Sequence, residues 1–359
     1  MKVIVTMIFG AFVFINSLQK HGEASDVIQY YHEINKANRA VYKCDYSSAL
    51  LHFQTAFSHS PPFYHDLKNV LLLSSEINRH DLSEEIFNDI IYNKKMSKST
   101  VKKELEGMID SALLDRLVDK MEEPVLDDIK KKHWRFLLNL VEKDQKFRVI
   151  ENEEEMTEDW KKERLAQDSA NLTSFIHKYR KYGFLGENEL GVWYKGKKLW
   201  DLYFLLFRHF VQNKWGNEIL SILKKEYLVG KIPVQVYATM VDLDDNMNRR
   251  FSSIQHNYIT TIGVRDCRPL IKTDKESMDL LNYKRLKLGL DSFHVVMKQA
   301  FSDRYCQKGF SRKYNFVHYS IIEIFPAGLF TSEKNRKYLN ELAIRPEKIK
   351  PTCNCELFY

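Results

Sequence analysis

The feature that most narrows the fold of this chain is a stripe of apolar and small residues at helical spacing. Tyr46, Ala49, Phe53, Ala56 and Pro61 fall at offsets of 0, 3, 7, 10 and 15. Steps of three, four and seven residues put the first four on one helical face, and Pro61 ends the helix because its ring removes a backbone donor. Ala37 and Ala40 supply small positions on the preceding segment, so two helices can approach closely. Helical periodicity returns in blocks at 133–149, 160–182, 199–213, 217–228 and 233–249. Between the second and third of these, 183–198 is rich in Gly and reads as a loop with a short strand at Val192-Trp193-Tyr194. Only 13 Gly and 8 Pro in 359 residues argue against both an all-β chain of tight turns and disorder. The expected fold is mainly α, with a few short strands possible.

The segment from Asp26 to about Asn93 reads as helix–turn–helix units. The aromatic–small–aromatic–small stripe closed by Pro61 resembles the second helix of a tetratricopeptide repeat. A weaker echo follows, in which Cys44-Asp45-Tyr46 is matched 36 residues later by His80-Asp81-Leu82, opening a helix over 83–91 without the Ala/Phe stripe. An ordinary helical hairpin produces the same pattern. A further amphipathic helix is expected over 97–120, and Glu122-Glu123-Pro124 breaks it. The expected organisation is therefore tetratricopeptide-like hairpins over 25–125, a helical domain over 126–302 and a C-terminal extension over 303–359. Residues 315–325 fit a strand or a buried helix equally. The resemblance implies a concave surface over 25–125 for a protein or peptide partner.

The first 24 residues read as a secretory signal peptide. Met1-Lys2 is a short positive start, and residues 3–15 are apolar apart from Thr6 and Gly10. A membrane-spanning helix needs about 20 apolar residues, so this run is too short to span. Cleavage is expected after Ser17 or after Ala24. No Cys lies near either site for lipid attachment, and no later apolar run reaches spanning length. A periplasmic or secreted form with no stable membrane span is the expectation.

The net charge of +7 is mild, and no Lys/Arg cluster is interleaved with stacking aromatics, so nucleic acid is not an expected partner. Five cysteines (Cys44, Cys267, Cys306, Cys353 and Cys355) are too few for a disulfide scaffold, and their odd number leaves at least one unpaired. No metal site and no cofactor are expected. Cys353-x-Cys355 lacks a second Cys/His pair, and the Asp242, Asp244, Asn246 run has Met247 and Ser253 where a calcium loop needs Gly and Glu. No phosphate loop, nucleophile elbow or His-Glu-x-x-His occurs.

Several polar groups stand at spacings that could carry chemistry. Asp144 and Arg148 lie four apart and can pair on one helical face, with Gln145 beside them. Asp168 and Asn171 lie three apart. Arg208-His209 and Gln212 sit in a helix apolar nearly all round, so His209 is expected inside the protein or in a cleft. Asp242 follows Tyr237-Ala238, and Gln255 opens a loop dense in hydrogen-bonding groups. Asp144, Asp168, His209 and Asp242 are the candidate catalytic residues, and Gln145, Arg148, Asn171 and Gln255 the candidate ligand-binding ones. Structural pairing explains the same residues without any chemistry.

The order Asp144-Gln145…Arg148, Asp168…Asn171-Leu172, Tyr182-Gly183-Phe184, His209, Gly230, Tyr237-Ala238…Asp242, Pro269-Leu270 and Arg285…Leu288-Gly289-Leu290 resembles an uncharacterised bacterial family over about 134–293. Its members form a domain of unknown function, often attached to exported helical-repeat segments. The chain departs from that family at Arg208, where members carry Gln, at Leu243, where they carry Arg, and at Gln255-His256-Asn257-Tyr258, which replaces a Gln-x-Tyr-Gly-Thr turn. The resemblance implies no reaction. An exported interaction protein is the leading expectation, and a hydrolase-type enzyme built on the four candidate residues is the alternative.

Overall fold

A computed structural model describes residues 24–146, 148, 157–211, 216–248, 263–265, 268–270, 275–292 and 295. The expectations for the signal segment, Gln255, 303–359 and every cysteine but Cys44 lie outside the described residues. Cys44 is an exposed free thiol.

The fold is mainly α. Three helical hairpins come first: α1 (Ala24–Tyr42) with α2 (Tyr46–His59), α3 (Tyr64–Glu76) with α4 (His80–Asn88), and α5 (Lys98–Leu105) with α6 (Ser111–Lys120). A π turn over Asp89–Asn93 prolongs α4. The apolar stripe does what its spacing requires. Ala37, Ala49, Phe53 and Ala56 have no exposed surface, so small side chains let α1 and α2 pack backbone to backbone. Asp45 caps α2 by accepting the Ser48 N–H at 3.1 Å.

The single helix expected over 97–120 is two helices. α5 ends at Leu105, Gly107 turns the chain at φ +73°, and Asp110 restarts it by accepting the Leu113 N–H at 2.9 Å. The second hairpin, weak in sequence, forms because α3 buries Leu67, Val70, Leu71 and Leu73 and α4 buries Leu82, Ile86 and Phe87.

Downstream come α7 (Asp128–Lys146), α8 (Glu158–Tyr182) and the short α9 (Glu187–Leu190). β1 (Trp193–Tyr194) pairs antiparallel with β2 (Lys197–Lys198), placing a strand within the expected loop. α10 (Leu199–Val211), α11 (Gly216–Leu228) and α12 (Val234–Asn248) follow, then β3 (Gly263–Arg265) antiparallel to β4 (Arg268–Leu270), and α13 (Lys275–Lys287). No described helix is long and apolar enough to cross a membrane.

The chain is non-helical from 121 to 127, where Glu122-Glu123-Pro124 was expected to break it, yet the hydrophobic core runs on across this point. One cluster of buried side chains extends from Val27 to Met240. The first helix of each hairpin faces the downstream part. On α1, Tyr31 accepts the Val234 N–H at 2.9 Å, Asn35 donates to the Gly289 carbonyl at 2.6 Å, and Arg39 pairs with Asp291. On α3, Tyr64 donates its backbone N–H to Glu187. On α5, Glu104 Oε2 lies 3.4 Å from Lys198 Nζ. The hairpins thus form an arch whose inner side is filled by the chain's own later segments.

The tightest point of this seam is ionic. Lys94 and Glu187 are 2% and 3% exposed and meet at 3.1 Å. Lys94 Nζ also donates to the Pro62 carbonyl and Asn188 Oδ1, while Glu187 Oε2 accepts the Trp200 indole N–H at 2.9 Å. Both ions therefore keep a full set of partners after leaving water, which is the condition for a buried pair to be tolerated. The backbone locks alongside, as the Val192 N–H donates to the Lys94 carbonyl at 2.9 Å. Gly191 makes this approach possible, because a Cβ there would fall 2.6 Å from Lys95 Cβ and 2.9 Å from the Lys94 oxygen, at a backbone φ of +84°.

Nearby, burial pushes the Asp66 carboxyl up to about 7, against the lowering effect of the hydrogen bond from Tyr30. A carboxylate with a raised folded pKa costs stability as it ionises. The arch therefore loses part of its stability between the ordinary aspartate value of about 4 and this raised one.

Lys94→Met should cost about 3–5 kcal/mol in urea denaturation, since it strands a buried carboxylate. Combining it with Glu187→Gln should cost clearly less than the sum of the single changes. Simple additivity would show that the pair does not act as a unit.

Candidate functional site

Six of the polar residues singled out by spacing, Asp144, Gln145, Arg148, Asp168, Asn171 and His209, converge where α7, α8 and α10 pack together. Asp144, Asp168, Asn171 and His209 each continue an apolar stripe. On α7 the buried positions Trp134, Leu137 and Leu140 lead to Asp144; on α8 Asp168 and Asn171 precede Leu172, Phe175 and Ile176; on α10 His209 follows Leu202 and Leu206. Helical periodicity thus aims polar groups inward at one end of the packed stripes. Arg148 lies just beyond α7 in a turn where its N–H meets the Gln145 carbonyl at 2.9 Å.

Asp144 is the centre. It is 1% exposed, and both carboxylate oxygens are fully engaged. Oδ1 accepts from Arg148 Nη2 at 3.1 Å and contacts His209 Nδ1 at 2.9 Å. Oδ2 accepts from Arg148 Nε at 3.2 Å and from Gln145 Nε2 at 2.7 Å. Arg148 Nη2 also donates to Asp168 Oδ1 at 2.7 Å, so one guanidinium bridges two carboxylates. Asn171 accepts from Gln167 Nε2 at 2.9 Å and donates to the Leu140 carbonyl at 3.3 Å, tying α8 to α7. Burial alone would raise the Asp144 carboxyl, but the hydrogen bonds from His209 and Arg148 outweigh it and hold the group below the ordinary aspartate value. Arg148 and His209, with side chains 18% and 11% exposed, reach the rim, as does the half-buried Gln145.

Arg208 points to solvent from α10, while Asp242 lies on α12 with its side chain outside the described residues, as are Gln212 and Gln255. Arg285 and Gly289, two more of the positions named in the sequence, serve the seam. Arg285 is 3% exposed and donates from Nε to the Asp291 carbonyl at 2.7 Å. Gly289, at φ +75°, sits where a Cβ would fall 2.8 Å from Tyr31 Cβ.

Three polar features escaped the sequence reading. The Lys94–Glu187 pair joins residues far apart in the chain, for which local spacing carries no signal. His133 is 6% exposed, with its Nε2 buried and unpartnered among the described residues. Tyr64 Oη and Trp193 Nε1 are likewise buried without a hydrogen-bond partner among those residues. Among the described residues no group of three or more His, Cys, Asp or Glu side chains is placed to hold a metal ion. Comparison with protein-family models, with curated proteins and with solved structures finds no match to this chain.

The network makes a signed prediction. A carboxyl held low in the fold contributes stability that is complete above about pH 4, its unfolded value, and is lost as pH falls through the folded value. Acid denaturation should therefore show a steeper limb in the wild type than in Asp144→Asn. Arg148→Met should destabilise by about 3–5 kcal/mol at pH 7, because it leaves two buried carboxylates without their shared cation. Matching acid limbs in wild type and Asp144→Asn would refute the central role of Asp144.

Proposed function

We propose that this chain is an exported, tetratricopeptide-like helical-repeat protein that binds a protein or peptide partner. Its downstream segment, about 134–293, is proposed to belong to the uncharacterised bacterial family it resembles. The observation that carries the binding reading is an exposed apolar group where the arch gives way to α7. Val125 and Ile129 are 81% and 65% exposed, and Tyr92, 37% exposed, is joined to this connection by its hydroxyl, which accepts the Glu122 N–H at 2.9 Å. Clustered exposed apolar side chains mark interaction sites. Exposed Glu122, Glu123 and Asp128 flank them, so the fitting partner carries an apolar anchor among basic residues. The inner side of the arch is filled in cis, which directs a partner to this end and to the outer helices.

The test is capture from an envelope or secreted fraction by the full mature chain, beside its Val125→Glu/Ile129→Glu form. Loss of a specific partner at least tenfold in the double variant is expected. Identical capture by both forms would overturn the reading. Export itself is tested by the N-terminal mass of protein recovered outside the cytoplasm. Cleavage after Ser17 or Ala24 is expected, and an intact Met1 refutes it.

A second reading, a hydrolase-type enzyme, draws on one contact. His209 Nδ1 against Asp144 Oδ1 orients an imidazole as an acid–base site requires. Against it stands the saturation of Asp144, which leaves that carboxylate no role beyond positioning. This reading needs turnover of an ester, amide or phosphoester by the full chain, abolished in His209→Gln without loss of fold.

A further inference from the structure

The stretch that leads from the arch into α7 carries its exposed groups in a charge order. Glu122 and Glu123 come first, the apolar Val125 and Ile129 follow, and Lys132 and Arg135 come last, all six of them exposed. Ile129, Lys132 and Arg135 stand three apart and run along one side of α7. Between the two charged ends, Asp127 and Asp128 are matched locally, by Lys130 at 3.3 Å and Lys131 at 3.6 Å. Glu122, Glu123, Lys132 and Arg135 form no ion pair among the described residues. The apolar centre is therefore bracketed by two uncompensated acids on one side and two uncompensated bases on the other.

Both sides of Val125 are held in place. Tyr92 Oη accepts the Glu122 N–H at 2.9 Å, Glu123 Oε2 accepts the Lys98 N–H at 3.3 Å, and Lys98 Nζ donates to the Met121 carbonyl at 2.7 Å. Beyond Val125, Asp127 caps α7 by accepting the Lys130 N–H at 2.8 Å. A surface fixed in advance loses little freedom on contact, which favours association.

The partner that suits Glu122 and Glu123 has an apolar anchor among basic residues, and this chain carries one itself in Ile129 with Lys132 and Arg135. When two copies cross here about a two-fold axis, the acidic end of each faces the basic end of the other and the apolar side chains meet at the centre. A partner of a single charge would be repelled at one of the two ends. We propose that Val125 and Ile129 form the middle of an isologous contact between two copies of this chain, with Glu122 and Glu123 of each copy opposite Lys132 and Arg135 of the other. This contact presupposes that the exposed apolar group is a docking surface, as proposed above, and names its occupant. Two aliphatic side chains and Tyr92 from each copy make a small interface, so the dimer is weak and depends on concentration.

Sedimentation equilibrium of the purified full chain from micromolar to millimolar concentration tests this, under reducing conditions because Cys44 is an exposed free thiol. The wild type should approach twice the monomer mass, and raising the salt from low to molar should weaken the dimer at least tenfold. Ile129→Glu should abolish it. Lys132→Glu/Arg135→Glu and Glu122→Lys/Glu123→Lys should each weaken self-association at least tenfold, since like charges then meet at both ends. An equal mixture of these two variants should dimerise within threefold of the wild type, because every end again meets its opposite. Loss of fold in either variant would not produce that rescue. A monomeric mass up to millimolar concentration, or two charge-reversed variants that fail to pair with each other, would overturn the proposal. A chain that stays monomeric yet captures a partner from the envelope fraction refutes the second copy and leaves the binding reading standing. A dimer lost in Ile129→Glu, beside capture indifferent to Val125→Glu/Ile129→Glu, does the reverse.

Discussion

The Lys94 ammonium and the Glu187 carboxylate meet at 3.1 Å in a place where neither side chain keeps more than 3% of its surface in solvent. An ion stripped of water is stable only where the protein replaces its hydration shell, and here the replacements come from scattered parts of the chain. Pro62 and Asn188 serve the lysine, and Trp200 and the backbone of Tyr64 serve the glutamate. None of these groups is in position unless the turn before α3, the end of the π turn, α9 and the start of α10 have all docked. Hydrophobic burial between the arch and the downstream helices is non-directional, so it favours contact without choosing an alignment. The ion pair chooses it.

A second buried ionic centre, where the ends of α7 and α10 pack on the middle of α8, works within the downstream part alone. Arg148 bridges Asp144 and Asp168, and Asn171 braces α8 against the Leu140 carbonyl. The two centres divide the task, one aligning arch with downstream helices and the other closing the three-helix packing. His133, whose buried Nε2 has no partner among the described residues, stands on the same α7, on the portion remote in sequence from Asp144. One helix pair thus offers a saturated polar end and, about three turns away along α7, an unsatisfied one.

Much of the secondary structure was legible because it depends on local spacing. The blocks read at 160–182, 199–213 and 217–228 match α8, α10 and α11 within a few residues, since an apolar stripe and its caps sit on the same short segment. The split between α5 and α6 was missed although Gly107 and the Asp110 cap were both in view, because the apolar period continues through the turn. Asp144 and Arg148, four apart, announced their pairing; the bridge from Arg148 to Asp168 and the approach of His209 did not, as they need the tertiary packing of three helices. The seam was illegible for the same reason. Among 55 basic and 48 acidic residues, nothing local distinguishes Lys94 or Glu187 as a buried partner.

The filled inner side of the arch also bears on how such a chain can change in length. Open helical repeats tolerate an added or deleted unit because each unit touches only its neighbours. Here Tyr31, Tyr64 and Glu104, one on the first helix of each hairpin, meet Val234, Glu187 and Lys198 in turn. The hairpins therefore act as a ruler of fixed length. Inserting one more would shift the later contacts off their marks, so the number of hairpins is set by the part of the chain that they enclose.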